Sequence, residues 1–180
     1  FVIEADEYDT SFFDKRSKYI HYRPNILVIN NIEFDHADIF ENIDAVIKNF
    51  HHLVRIVPKN GKVIYNKDDK NIKKMIKKGI WSKELSLTSK NNKNADWSLS
   101  KDGINFFLEK NKMKSNYKKK IESSLMGIHN HKNISLAILA SIQAGVSFSA
   151  CIEAVKKFKG VKRRMEKIEN SGIWRIYDDF

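Results

Sequence analysis

ILVINNIEFDHAD, residues Ile26 to Asp38, is the stretch that decides the predicted fold of this 180-residue chain. Its first four residues are apolar and mostly β-branched, and Pro24 precedes them, so they predict a short buried strand. Polar residues begin where that strand ends. Ligands of open α/β sheets collect at the carboxyl ends of parallel strands. The candidate site residues that follow from this are Glu33, Asp35, His36 and Asp38.

A second acidic cluster, EADEYD (Glu4 to Asp9), follows the apolar residues Phe1 to Ile3, which predict another strand. Two strand ends would then present carboxylates and one imidazole. Such a pair suits Mg²⁺, which takes one or two protein ligands and completes its shell with water and phosphate oxygens. No converging set of three His or Cys residues indicates zinc. The alternative is that His36 caps the following helix and the acids are solvated loop residues, and both interpretations stay open.

Downstream of this stretch, strand-like and helix-like segments alternate. Residues 38–54 carry the apolar stripe of an amphipathic helix, KVIY (Lys62 to Tyr65) predicts a strand, and Asp69 to Ile76 predicts a second helix. A repeat of about 30 residues per strand and helix indicates βαβ crossovers and a largely parallel sheet.

The pattern changes after Trp81. Residues 84–125 alternate polar and apolar side chains, with turn signals at Asp102-Gly103, which predicts antiparallel hairpins. Helical character returns in residues 133–144 and 150–158, and the short connection between them predicts an antiparallel helix pair. The predicted fold is therefore α/β, a mostly parallel sheet flanked by helices with a small antiparallel β appendage.

The charge of the chain bears on whether it binds nucleic acid. The formal net charge of +11, from 33 Lys and Arg against 22 Asp and Glu, raises a nucleic-acid-binding alternative. The lysines are spread over predicted surface positions, no stacking-aromatic motif accompanies them, and acidic strand ends repel phosphates unless a metal lies between them. We therefore expect no nucleic-acid partner.

A single cysteine, Cys151, excludes an internal disulfide and is typical of a reducing cytoplasm. No apolar run approaches the roughly 20 residues that a membrane span requires.

Two further motifs carry candidate site residues. In GIHNHKN, residues 127–133, Asn133 precedes an apolar helix, so it either caps that helix or offers its amide to the edge of a purine. In FKGVKRR, residues 158–164, Arg163 and Arg164 present guanidinium groups that bind phosphate or carboxylate in a bidentate manner. The alternative for this second motif is a basic surface turn.

Taken in order, five motifs resemble those of the Mur ligase family, the ATP-dependent enzymes of peptidoglycan precursor synthesis. The motifs are EADEYD, NNIEFDHAD, GIHNHKN, FKGVKRR and the terminal YDDF. The resemblance implies that residues 1–175 form the central ATP-binding domain of a three-domain enzyme, with residues 176–180 opening the C-terminal domain. The glycine-rich phosphate loop of that domain would lie upstream of Phe1.

The resemblance also implies roles for individual residues. Glu4 and His36 match the magnesium ligands of the family and count as catalytic for that reason. The adenine side of the nucleotide corresponds to Asn130 and Asn133, with His129 beside them. Arg163 and Arg164 correspond to the arginines near the exit to the last domain and are likewise counted as catalytic.

The long stretch FVIEADEYDTSFFDKRSKYIHYRP is similar to the branch of the family that attaches a recycled murein tripeptide, L-alanyl-γ-D-glutamyl-meso-diaminopimelate, to UDP-N-acetylmuramate. The implied reaction uses ATP and Mg²⁺, proceeds through an acyl phosphate and takes place in the cytoplasm. The alternative within the family is the branch that adds L-alanine to UDP-N-acetylmuramate. The sequence makes no prediction of oligomeric state.

Overall fold

The structure is a computed structural model that describes most of the chain. The described residues are 1–5, 7–8, 10–35, 37–90, 92–111, 117–164, 166–171 and 174–179.

The chain forms a six-stranded sheet whose strands follow one another in sequence order. The strands are β1 (Ile26–Ile29), β2 (Lys62–Asn66), β3 (Lys83–Thr88), β4 (Trp97–Asp102), β5 (Asn105–Lys110) and β6 (Tyr117–Ile121). Strands β1 to β4 pair in parallel, and β4, β5 and β6 pair antiparallel. The predicted fold class, a mostly parallel sheet with an antiparallel appendage, is confirmed.

Helices cover both faces of this sheet. They are α1 (Ile43–Ile56), α2 (Lys70–Ile76), α3 (Ile128–Gln143) and α4 (Phe148–Lys157), and a 3-10 helix spans Lys18–His21. Helices α1 and α2 pack on one face and α3 and α4 on the other. Successive side chains of a strand point to opposite faces, and β2 shows this directly. Val63 and Tyr65 are buried against α1 and α2, while Ile64 is buried with α3 and α4. None of the described helices has the length and apolar character that a bilayer crossing requires.

Helix α1 begins later than predicted. The sequence pattern starts it near residue 38, but the structure starts it at Ile43. Asn42 fixes this start, because its side chain accepts a hydrogen bond from the Ala45 amide at 2.9 Å and so satisfies a free donor of the first turn. The buried residues Val46, Ile47 and Leu53 confirm the predicted apolar stripe.

The strand predicted at Phe1 to Ile3 is not formed. These residues are exposed and have no regular secondary structure. A strand needs a hydrogen-bonded neighbour, and within the described residues β1 pairs only with β2. Glu4 therefore lies in an irregular, exposed segment rather than at a strand end.

The antiparallel region is shorter than predicted. Residues 83–88 form β3, which pairs in parallel with β2, and β3 also pairs in parallel with β4 at Leu87↔Trp97. Alternating polarity identifies a strand but carries no information on its direction, which explains the difference. The predicted turn at Asp102-Gly103 joins β4 to β5 and is confirmed.

A separate two-stranded antiparallel sheet follows α4 and consists of β7 (Glu166–Ser171) and β8 (Trp174–Asp178). The helix pair α3 and α4 is confirmed, with Gly145 ending α3 at a φ of +95° and Ser147 capping α4. Cys151 is buried in α4 among the apolar side chains of that face.

Candidate functional site

A cleft of about 420 Å³ lies where β1, β2 and β3 end, beside the first turns of α3. This is the edge of a parallel sheet at which ligands are expected to bind. The cleft is lined by Asn30, Asn31, Glu33, Asn66, Asp68, Asp69, Lys90, His129, Lys132 and Asn133. Three of the sequence-predicted site residues, Glu33, His129 and Asn133, are therefore among its walls.

Helix α3 starts five residues before the predicted position, so Asn133 does not cap it. Gly127, with a φ of +93°, precedes the helix, and Asn133 lies in its second turn. The polar side chains of the first turn fold back on the backbone. The Asn130 Nδ2 donates to the Met126 carbonyl at 2.7 Å, and the His131 Nδ1 lies 2.8 Å from the Gly127 carbonyl. The sequence offers no Ser, Thr, Asp or Asn cap before Ile128, which is why the start was missed.

One hydrogen bond joins the two stretches that the sequence singled out. The Asn30 Nδ2 donates to the Asn133 Oδ1 at 2.6 Å, across 103 positions of sequence. Asn30 directly follows β1, and Asn133 faces it from α3. The structure therefore brings NNIEFDHAD and GIHNHKN together at one edge of the sheet.

Asp68 forms the polar base of the cleft. Its carboxylate accepts hydrogen bonds from the Thr88 hydroxyl at 2.5 Å and from the amide and hydroxyl of Ser89 at 2.7 and 2.8 Å. Burial raises the pKa of Asp68, but these hydrogen bonds and the nearby charge of Lys132 outweigh burial, so the pKa lies below its usual value. Asp68 thus stays ionised and fastens the loop after β2 to the end of β3.

The cations of the cleft come from two elements. The Lys132 Nζ in α3 lies 3.7 Å from an Asp68 carboxylate oxygen, and Lys90 reaches the cleft from the segment after β3. The amide groups of the N-terminal turn of α3 add a positive partial charge. Lysine ammonium groups bind phosphate as point charges, and Asn amides match the donor and acceptor edge of a purine. The donor set of the cleft therefore fits a nucleotide.

The described residues supply only part of the predicted magnesium site. Glu4 is exposed, and His36 lies outside the described residues, so the predicted pairing of Glu4 with His36 stays a prediction. Across the described residues, no group of three or more His, Cys, Asp or Glu side chains could hold a metal ion. The carboxylate of Asp68 is committed to its hydrogen-bond donors. Because Mg²⁺ needs only one or two protein ligands, Glu4 and His36 would suffice as protein ligands if they lie together.

Arg163 and Arg164 lie away from this cleft. Both are exposed in the turn between α4 and β7, and neither lines the cleft. The φ of Arg163 is +55°, a left-handed conformation that few non-glycine residues adopt. The proposed roles of these arginines stay predictions.

Sequence reasoning missed Asp68, Lys90 and Lys132 as site residues. A signal for Asp68 was available, because the polar loop NKDDKN (Asn66 to Asn71) follows the strand KVIY just as NNIEFDHAD follows ILVI. The rule that ligands collect at strand ends applies to both loops. Lys132 carried no such signal, because the helix was predicted to begin after it.

Comparison with known proteins places the chain in a family. The family model of the Mur ligase middle domain matches residues 1–141. The UDP-N-acetylmuramate–L-alanyl-gamma-D-glutamyl-meso-2,6-diaminoheptandioate ligase of Escherichia coli (strain K12) is 41% identical over 189 residues, which cover 100% of this chain and 38% of that protein. A UDP-N-acetylmuramate–L-alanine ligase of Caldicellulosiruptor bescii is 32% identical over 182 residues, covering 99% of this chain and 38% of that protein.

The solved structures agree. The crystal structure of a murein peptide ligase from Psychrobacter arcticus superposes with a TM-score of 0.78 at 39% identity, covering 100% of this chain and 36% of that one. The chain thus spans well under half the length of these relatives. On the match over residues 1–141 and the likeness in fold, the chain belongs to the Mur ligase middle-domain family.

Proposed function

We propose that residues 1–175 form the ATP-binding central domain of a longer amide-bond ligase and that residues 176–180 open its next domain. The chain covers 38% of the length of the E. coli relative, which leaves room for further domains in a protein of that kind. Below, "the complete enzyme" means this longer ligase.

The reaction proposed for the complete enzyme joins the tripeptide L-alanyl-γ-D-glutamyl-meso-diaminopimelate to the carboxylate of UDP-N-acetylmuramate in the cytoplasm. Identity of 41% to a relative named for this substrate pair, against 32% to one named for L-alanine, supports the tripeptide. The L-alanine-adding reaction is the second candidate.

The observation that carries the proposal is the cleft in which Asn30 and Asn133 are hydrogen-bonded. It joins the end of β1 to the first turns of α3, and it combines amide groups with the ammonium groups of Lys90 and Lys132. These are the groups that would hold a purine and a phosphate chain side by side. Asn133 and His129 are assigned to the adenine side, and Lys132 to the phosphates.

The chemistry is acyl activation. The muramyl carboxylate oxygen attacks the γ-phosphate of ATP, releasing ADP and leaving an acyl phosphate. The α-amine of the tripeptide then attacks the acyl carbon, phosphate leaves, and the amine loses its proton as the amide forms. Magnesium, when bound by Glu4 and His36, would neutralise charge between the phosphate groups. The residues of the chain bind and orient, and Arg163 and Arg164 are proposed to bind anionic groups near the exit to the next domain.

An acceptor assay of the complete enzyme tests this function. With ATP, Mg²⁺ and UDP-N-acetylmuramate, we expect release of ADP and phosphate in the presence of the tripeptide and little release with free L-alanine. Turnover with L-alanine but not with the tripeptide would select the second candidate. Absence of turnover with both acceptors would overturn the ligase proposal.

A further inference from the structure

A second concave surface lies beside α1. This basic groove has a volume of about 650 Å³ and lies between α1 and residues 15–20. That size is typical of small-molecule sites, which run from about 300 to 1,000 Å³. Among the described residues, it shares no lining residue with the cleft where β1, β2 and β3 end. Among the described residues that line it, the ionisable side chains are basic: Lys15, Arg16, Lys48, His52 and Arg55.

The spacing of the basic residues on α1 forms a continuous row. Lys48, His52 and Arg55 are four and then three positions apart, so they lie on one face of the helix. At a rise of about 1.5 Å per residue, the row is about 10 Å long. A ligand that follows it would meet the Lys48 ammonium group at one end and the Arg55 guanidinium group at the other, with the His52 imidazole between them.

The wall opposite α1, formed by residues 15–20, is held in place by a network of polar contacts. The Asn49 Nδ2 in α1 donates to the Ser17 hydroxyl at 2.6 Å, and this hydroxyl donates to the Glu7 carbonyl at 2.6 Å. Arg16 forms a two-point contact with Asp14, at 2.8 Å from Nε and 2.9 Å from Nη2. Since Asp14 offsets the charge of Arg16, the positive charge on which the groove depends is that of Lys48 and Arg55 on α1. The groove is therefore positioned without a ligand, which lowers the entropy cost of binding.

Apolar side chains complete the lining. Phe40 and Ile56 are among the groove residues, and none of the described residues that line it is Asp or Glu. Like charges held close together repel one another unless an anion lies between them. We propose that the basic groove binds a small-molecule polyanion in which two or more phosphate or carboxylate groups are attached to a carbon body.

The pKa of His52 should change when a ligand binds in the basic groove. Burial lowers its pKa, and the positive charges of Lys48, Arg55 and His51 lower it further. The other charged groups that line the groove around the ring, Lys15 and Arg16, are also cationic. An anion bound among them would favour the protonated imidazole, so the pKa of His52 should rise when the ligand binds.

Calorimetry on the 180-residue chain tests the proposal with inorganic diphosphate and with citrate as probes. The groove variant is K48Q/R55Q. The matched control is K73Q/K74Q, which removes the same charge from the exposed face of α2. We expect the groove variant to raise the Kd for the preferred probe about tenfold or more, and the control to change it by less than about twofold. Preference for diphosphate would indicate a phosphate ligand, and preference for citrate a carboxylate ligand.

An NMR titration of His52 in the unmodified chain provides a readout that needs no variant. We expect its pKa to rise with saturating probe. The proposal is overturned if neither probe binds, if both double variants weaken binding equally, or if binding is lost in Lys132→Gln but kept in the groove variant. The measurement involves neither ATP nor ligation, so its failure and that of the ligase proposal can be told apart.

Discussion

At the scale of single residues, Asp68 connects stability to the site. Its carboxylate accepts three hydrogen bonds from Thr88 and Ser89, and it pairs with Lys132. Asp68 thus links the ends of two strands, and because it also faces the cleft it holds Lys132 in position there. We therefore expect Asp68 to affect both folding and ligand binding.

The substitution Asp68→Asn keeps the shape of the side chain and removes its charge. We expect it to lower the free energy of unfolding by about 1 to 3 kcal/mol, because charge-assisted hydrogen bonds are lost and Lys132 loses its partner. Urea unfolding at pH 7 measures this cost. The control is Asp102→Asn, at an exposed position in β4, where a change within about 0.5 kcal/mol is expected. Equal costs for the two variants would show that the Asp68 network does not stabilise the fold.

The contribution of Asp68 should also depend on pH. Its folded-state pKa lies below the unfolded value of 3.8, so its stabilisation is complete above that value and is lost as pH falls through the folded pKa. The difference in unfolding free energy between the unmodified chain and Asp68→Asn should thus be the same at pH 7 and at about pH 5.5. It should shrink below about pH 3.8. A difference that grows on acidification would contradict the lowered pKa.

At the scale of elements, the position of β2 depends on how closely backbone segments pack at the start of this strand. Gly61 immediately precedes this strand, and a Cβ atom there would lie 2.7 Å from the Asn25 carbonyl and 2.8 Å from the Val57 side chain. The Lys62 amide donates to the same Asn25 carbonyl at 2.8 Å, which starts the pairing of β1 with β2. A glycine is needed at position 61 because a side chain would not fit there, and not because of its backbone conformation.

Replacing Gly61 by Ala should therefore cost more than the same change in a hairpin. We expect Gly61→Ala to destabilise the chain by about 2 to 3 kcal/mol through overpacking. Gly103→Ala, whose φ is +55° and whose added Cβ meets nothing within 4 Å, should cost about 1 kcal/mol from backbone strain alone. Thermal unfolding of the two variants compares them. A larger cost for Gly103→Ala would contradict the close packing at the start of β2.

Element boundaries were the least predictable feature of the fold. Apolar periodicity located α1, α2 and β2 because each buries one stripe or face. It failed at the start of α3, where the first turn carries the polar residues His129, Asn130 and His131 instead of an apolar stripe. It also gave no direction for β3, since the pairing partner of a strand is set by the rest of the sheet.

At the scale of the whole molecule, the sequence predicted the sheet, its flanking helices and the edge at which the cleft lies. It predicted Glu33, His129 and Asn133 as site residues, but it did not predict the hydrogen bond between Asn30 and Asn133. Such contacts depend on which helix turn reaches the sheet edge, and that follows from packing of the two layers. The basic groove also escaped prediction, because Lys15 and Arg16 are distant in sequence from the row on α1.

The cleft joined by Asn30 and Asn133 is proposed to hold the nucleotide of a Mur-type ligase. Steady-state kinetics of the complete enzyme with Asn133→Ala and with His129→Ala test it most directly, with Ser141→Ala, near the far end of α3, as the control. We expect both cleft variants to raise the KM for ATP about tenfold and to leave the KM for UDP-N-acetylmuramate unchanged, while the control behaves as the unmodified enzyme. An unchanged KM for ATP in both cleft variants would contradict it.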